Sequence, residues 1–143
     1  MSRGVGRRRR GRELALRALF ELEGTDKDPA AVLDYHAHDL GAAADVVAFA
    51  RQIITGCVTH GDDIDVAIRG ASRNWELADI GKVERALLRV GTFELIYAGD
   101  APVAVVIDES VEIAKTYAGD EAGPFVNGVL GEIARRREAS GAS

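Results

Sequence analysis

Apolar positions along this chain fall at intervals of three and four residues, the period of an α-helix with one buried face. In the first such run Leu14, Ala18 and Leu22 recur every four residues. Leu16, Leu19 and Phe20 fill the neighbouring rows, and Arg10, Glu13, Arg17 and Glu21 take other positions. A later run with Val83, Ala86, Leu87, Val90, Phe93, Leu95 and Ile96 is apolar around much of its circumference, which predicts a central helix with neighbours on several sides. Pro29, Pro102 and Pro124 each follow an aspartate at short distance and precede an apolar-periodic run, as at helix starts. Gly24, Gly99 and Gly119 close such runs, as at helix ends. The pattern predicts an all-α chain of about seven helices, near 8–23, 29–40, 42–58, 62–74, 80–98, 103–118 and 124–138. The run PVAVVI, from Pro102 to Ile107, has the local composition of a strand, but a lone strand would have no partner, so it is read as helix. Residues 1–6 and 139–143 read as frayed ends.

Length and composition narrow the class. The chain has 143 residues, 47% hydrophobic and 29% charged, which fits one globular domain over 1–143. No window approaches the 18 consecutive apolar residues of a membrane-spanning helix. The start MSRGVGRRRRG leads into RELALRALFEL rather than an apolar leader, so the cytoplasm is the expected compartment. A single cysteine, Cys57, can form neither an internal disulfide nor a cysteine-based zinc site, and it is read as packing.

Charge changes the picture more. The net charge is −5, yet the first 17 residues carry seven arginines against Glu13, while the remainder holds 11 bases against 22 acids. This is a basic N-terminal arm at 1–12 on an acidic body, which points to a polyanion for the arm and a basic partner for the body. All seven cations are arginine, whose planar fork suits phosphate and base stacking. The plainer alternative is a solvated tail.

Catalytic motifs are sparse. His36 and His38 lie about 200° apart around a helix, too far for a shared metal, and read as surface histidines. Cys57 and His60 lack a third, orienting group. Asp62, Asp63 and Asp65 stand where a helix begins and answer its dipole. Asp108, Glu109 and Glu112 lack the Glu-x-x-His partner of a di-iron bundle, and with a Glu112–Lys115 pair they read as a solvated face. No phosphate-cradling glycine loop occurs. No cofactor, no metal and no catalysed reaction are expected.

Four segments carry a resemblance: RRRRGRELALRALFELE; W-E-L-x-x-I-x-K-V-E-R-A-L-L-R-V-x-x-F-E-L from Trp75 to Leu95; VVIDESVEIAK from Val105 to Lys115; and FVNGVL from Phe125 to Leu130. In order and spacing they resemble the NusB family of bacterial transcription antitermination factors. The resemblance implies two three-helix bundles packed across each other. It also implies binding of boxA-type single-stranded RNA together with NusE, a small-subunit ribosomal protein, within the transcription elongation complex on ribosomal RNA operons. The resemblance further implies roles for single residues. Arg7, Arg8, Arg9, Arg10 and Arg12 match the arginine-rich motif that contacts RNA. Tyr117 and Phe125 match aromatic positions near the RNA site, with core packing the alternative for either ring, and Glu121 matches its edge. Phe20 and Glu84 match the side that meets NusE. Asn127 and Gly128 are read as structural, serving tight packing. A non-specific RNA-binding or ribosome-associated helical adaptor is the alternative function, and a monomer or a homodimer fits equally.

Overall fold

A computed structural model describes residues 3–73 and 75–141 of the chain. Among these, seven α-helices are found: α1 (Arg3–Leu22), α2 (Pro29–Leu40), α3 (Ala44–Thr59), α4 (Gly61–Ala71), α5 (Lys82–Phe93), α6 (Val103–Ala118) and α7 (Ala122–Gly141). A single 3-10 turn (Leu77–Asp79) precedes α5, and a π-helical turn (Glu94–Ala98) follows it. The seven expected helices are thus present, with the run expected over 80–98 divided at Phe93. The ends differ from expectation: residues 3–6 and 139–141 continue α1 and α7, and the rest of those two segments lies outside the described residues.

The boundaries follow from local chemistry. Pro29 opens α2 at the position where a missing N–H costs nothing, and Gly41 closes it in the left-handed region with φ 62°. Pro102 caps α6, its carbonyl accepting from the Val105 and Val106 amides. Pro124 sits inside the first turn of α7 rather than before it, and there the amides have no helical acceptor in any case. PVAVVI does become helix. Val106, Ile113 and Ala114 are buried together in α6, and that shared burial against α7 outweighs the β preference of its valines.

Helices α1, α2 and α3 pack on one another as one bundle, and α5, α6 and α7 as another. Helix α4 leans on α5 and α7, while α5 also packs against α1 and α3, as its broad apolar circumference predicted. The approach of α3 to α5 requires Gly56, because a Cβ there would fall inside the Phe93 ring.

Charged side chains fasten the bundles to each other at two levels. At the first, Arg12 is 1% exposed and donates from Nε and Nη2 to Glu94 at 2.6 and 2.9 Å, with Glu109 3.8 Å away. Arg9 donates to both oxygens of Glu109, at 2.9 and 2.7 Å. Glu109 is therefore buried and paired, not part of a solvated face, although Glu112 does pair with Lys115 in the open as expected. At the second level, Glu23 accepts from Arg85 at 2.6 Å and from Arg89 at 2.8 Å, and Arg89 turns its Nε and Nη2 to Asp65. The two arginines hold the Glu23 carboxyl down to about 2, well below its usual 4.5.

Each of these clamps makes a testable demand. Glu94→Ala leaves a buried guanidinium without its main partner and should cost about 3–5 kcal/mol in urea denaturation, whereas Arg12→Met combined with Glu94→Leu should recover most of that loss. The depressed Glu23 contributes stability that is complete above about pH 4.5 and disappears as pH falls through about 2. Glu23→Gln should accordingly flatten the acid limb of the stability profile in that interval, as read by denaturation midpoints.

Candidate nucleic-acid interface

The arginine-rich segment is not an arm that stands off the body. It forms the first turns of α1, and its side chains divide between two tasks because consecutive helical residues point about 100° apart. Arg9 and Arg12, three apart, face Glu109 and Glu94 as described. Arg12 thus departs from its expected role as an RNA contact: its guanidinium is buried on a bidentate carboxylate, out of reach of a ligand in solvent. Arg9 remains 37% exposed, with Glu109 as the first cause raising its pKa. Arg7, Arg8 and Arg10 are exposed. Arg7 meets Asp45 at 3.2 Å in solvent, and Arg8 lies 4.6 Å above the Phe49 ring. That ring packs so closely on α1 that a Cβ at Gly11 would sit 2.5 Å from it. The exposed arginines therefore project from a helix that is firmly seated.

The aromatic candidates separate. Tyr117, half-buried, has the Arg17 guanidinium 5.6 Å from its ring centre and lines an open cavity of about 540 Å³ with Leu16, Arg17, Phe20 and Lys82. Lys82 Nζ stands 4.3 Å over Phe20, which is 39% exposed. Phe125, also half-buried, meets Trp75 edge-on at 5.9 Å and lines a shallow cavity of about 320 Å³ with Glu84 and Glu121. The structure thus brings Tyr117 next to Phe20 and Glu84 next to Phe125 and Glu121. The residues expected for RNA and those expected for the protein partner are neighbours in mixed pairs.

Other expected residues resolve simply. Asn127 and Gly128 are exposed, and a Cβ at Gly128 would meet nothing within 4 Å, so tight packing does not explain this pair. In α7 that role belongs to Gly123, where a Cβ would lie 3.1 Å from Lys115. His38 is exposed, but His36 is largely covered and contacts Glu21 at 2.7 Å. Cys57 is buried, and burial pushes its thiol up to about 12. The His60 ring stacks on Tyr97 at 3.8 Å. Asp62 and Asp63 lie in the first turn of α4, and Asp65 is engaged by Arg89. Among the described residues no helix is long and apolar enough to cross a membrane.

Sequence reasoning missed Glu94 as a partner of the arginines, since 82 residues separate it from Arg12 and no local pattern marks the pair. It also gave Trp75 no role, although an aromatic ahead of a helix in a polar stretch was a usable signal.

Comparison with known proteins gives a consistent result. Residues 9–135 match the model of the NusB family. The transcription antitermination protein NusB of Heliobacterium modesticaldum is 42% identical over 135 residues, which cover 94% of this chain and 66% of that protein. The protein of the same name from Geobacillus kaustophilus is 39% identical over 127 residues, covering 89% and 95%. Among solved structures, NusB of T. maritima superposes with a TM-score of 0.82 at 36% identity, covering 90% of each chain. A chain from a crystal structure of the antitermination factors NusB and NusE with double-stranded RNA superposes with a TM-score of 0.84 at 28% identity, covering 95% and 99%. With nearly its whole length matched in sequence and in fold, this chain belongs to the NusB family.

Proposed function

We propose that this protein is a cytoplasmic antitermination factor that catalyses no reaction. It binds boxA-type single-stranded RNA together with a NusE-type ribosomal protein and supports transcription of ribosomal RNA operons within the elongation complex. The observation that carries this reading is the division of labour on α1, where Arg9 and Arg12 anchor the helix while Arg7, Arg8 and Arg10 remain at the surface of an otherwise acidic chain. Family membership and the NusB–NusE complex with RNA among its structural neighbours support it.

On this reading Arg7, Arg8 and Arg10, with the exposed part of Arg9, contact phosphates, and a guanidinium fork does so in pairs of hydrogen bonds. Phe125, with Glu121 at its edge, and Tyr117 offer rings to unpaired bases. Phe20 and Glu84 meet the ribosomal protein, with Glu84 accepting from a basic residue there. Because the two sets are interleaved around the start of α5 and the end of α6, RNA and protein bind side by side and touch each other.

Competition between boxA-like and scrambled RNA, with and without the ribosomal protein, tests the reading; equal affinity for both RNAs under both conditions would reduce the protein to a non-specific binder. Replacing Arg7, Arg8 and Arg10 together by alanine should flatten the dependence of log affinity on log salt by about 0.7 for each phosphate that an arginine had neutralised, at an unchanged melting temperature. Glu84→Lys should weaken binding of the ribosomal protein about tenfold or more, since like charges forced together cost several kcal/mol, and should not lower affinity for RNA alone in titration calorimetry.

A further inference from the structure

Phe125, Glu132 and Arg136 lie seven and four residues apart on α7, so they line one side of the helix. At the first of these positions Phe125 meets Trp75, which is 50% exposed. Two turns on, about 10 Å along the axis at 1.5 Å per residue, Glu132 collects three guanidinium groups. Arg135 donates to it at 2.8 and 3.2 Å, Arg136 at 2.7 Å, and Arg73 stands 3.9 Å away. Arg73 is two residues from Trp75 in sequence, so one short segment after α4 supplies both the exposed ring and one of the cations. Arg136 in turn reaches α4, where a Cβ at Gly70 would lie 3.0 Å from its Nη1.

One carboxylate faces three arginines here, so two positive charges are left over on a chain whose net charge is −5. The carboxylate is the more covered partner, and the arginine side chains are 74%, 69% and 45% exposed. Open ion pairs of this kind hold weakly, and a phosphate can take over a guanidinium fork from them. Helix α7 packs against α4, α5 and α6, whereas α1 packs against α2, α3, α5 and α6, so this stripe and the arginines of α1 stand on different helices. We propose that the stripe is a second single-stranded RNA contact, with an unpaired base stacked on Trp75 and the following phosphates on Arg73, Arg135 and Arg136. The proposal rests on the RNA-binding reading above. Its length, about 10 Å, accommodates roughly three stacked nucleotides at about 3.4 Å each. An acidic peptide would use the cations alone, whereas an exposed ring at one end of a row of cations suits an unpaired strand, which stacks a base on the one and sets phosphates on the other.

The test uses the full chain, a single-stranded RNA oligonucleotide free of secondary structure and several salt concentrations. Arg135→Gln with Arg136→Gln keeps good helix formers and should reduce the salt slope by about 1.4, whereas the corresponding double lysine variant should retain it. Trp75→Ala should lower affinity about 5- to 150-fold at unchanged slope and with an unshifted melting temperature, which separates stacking from a folding defect, and Trp75→Phe should restore most of the affinity. If the glutamine variant keeps the wild-type slope and Trp75→Ala keeps the affinity, while variants of Arg7, Arg8 and Arg10 lose RNA, the stripe is no RNA site and the RNA-binding reading stands. If the wild-type chain binds no RNA even with the ribosomal protein present, both fail. Loss of affinity for polyglutamate or for the ribosomal protein, with RNA binding intact, would assign the stripe to a protein and overturn the proposal.

Discussion

The buried pair between Arg12 and Glu94 is the contact around which the molecule is arranged. Two charges taken out of water require nearly perfect compensation, and the pair obtains it from two hydrogen bonds with Glu109 close by. That requirement fixes the rotation of α1 about its own axis, and hence which arginines face inward and which face solvent. It also bears on the end of α5. Glu94 opens the π-helical turn, whose carbonyl accepts from Gly99 five residues on, and from there its carboxylate reaches α1. The neighbouring Leu95 carbonyl accepts from Arg137 of α7 at 2.8 Å, so arginines from both ends of the chain grip this turn.

Much of the fold was legible because its signals are local. Pro29 and Pro102 mark helix starts through their missing amides, and Gly24 and Gly99 mark stops through the positive φ they adopt, 75° and 67°. The three- and four-residue spacing around Leu14 and Leu87 identified faces that are indeed buried. The charged residues were harder to read. A run of arginines has the same appearance in sequence whether its members bind carboxylates of the same chain or phosphates of another molecule. Arg9 and Arg12 find their partners 100 and 82 residues away, and Glu109, between an aspartate and a serine, carries no mark of burial. Phe20, Tyr117 and Phe125 are exposed or half-covered rings, but their grouping depends on how α5 and α6 meet, which periodicity does not encode.

Acidic groups sit beside the candidate binding rings as well as beneath the arginines. Glu84 and Glu121 share the cavity of Phe125, and Glu21 borders that of Phe20 and Tyr117. At Phe125 the carboxylates keep phosphates off while leaving the ring open to a base, and they welcome a basic protein to the same edge. Such a surface favours joint occupation by strand and protein over either one by itself.

The span between Arg9 and Glu109 has a consequence for how the chain acquires its shape during synthesis. The basic segment emerges from the ribosome ahead of the acids that neutralise its inner face, which follow 82 and 100 residues later. Until most of the polypeptide has been made, Arg9 and Arg12 have no native counter-charge, and the seat of α1 on the second bundle cannot close. Packing of α1 on α2 and α3 needs only the first 59 residues, whereas its fastening to the second bundle is a later, long-range step. A nascent chain of this protein thus holds Arg9 and Arg12 without their native counter-charges until Glu94 and Glu109 have followed, and only then can they leave solvent for the interior.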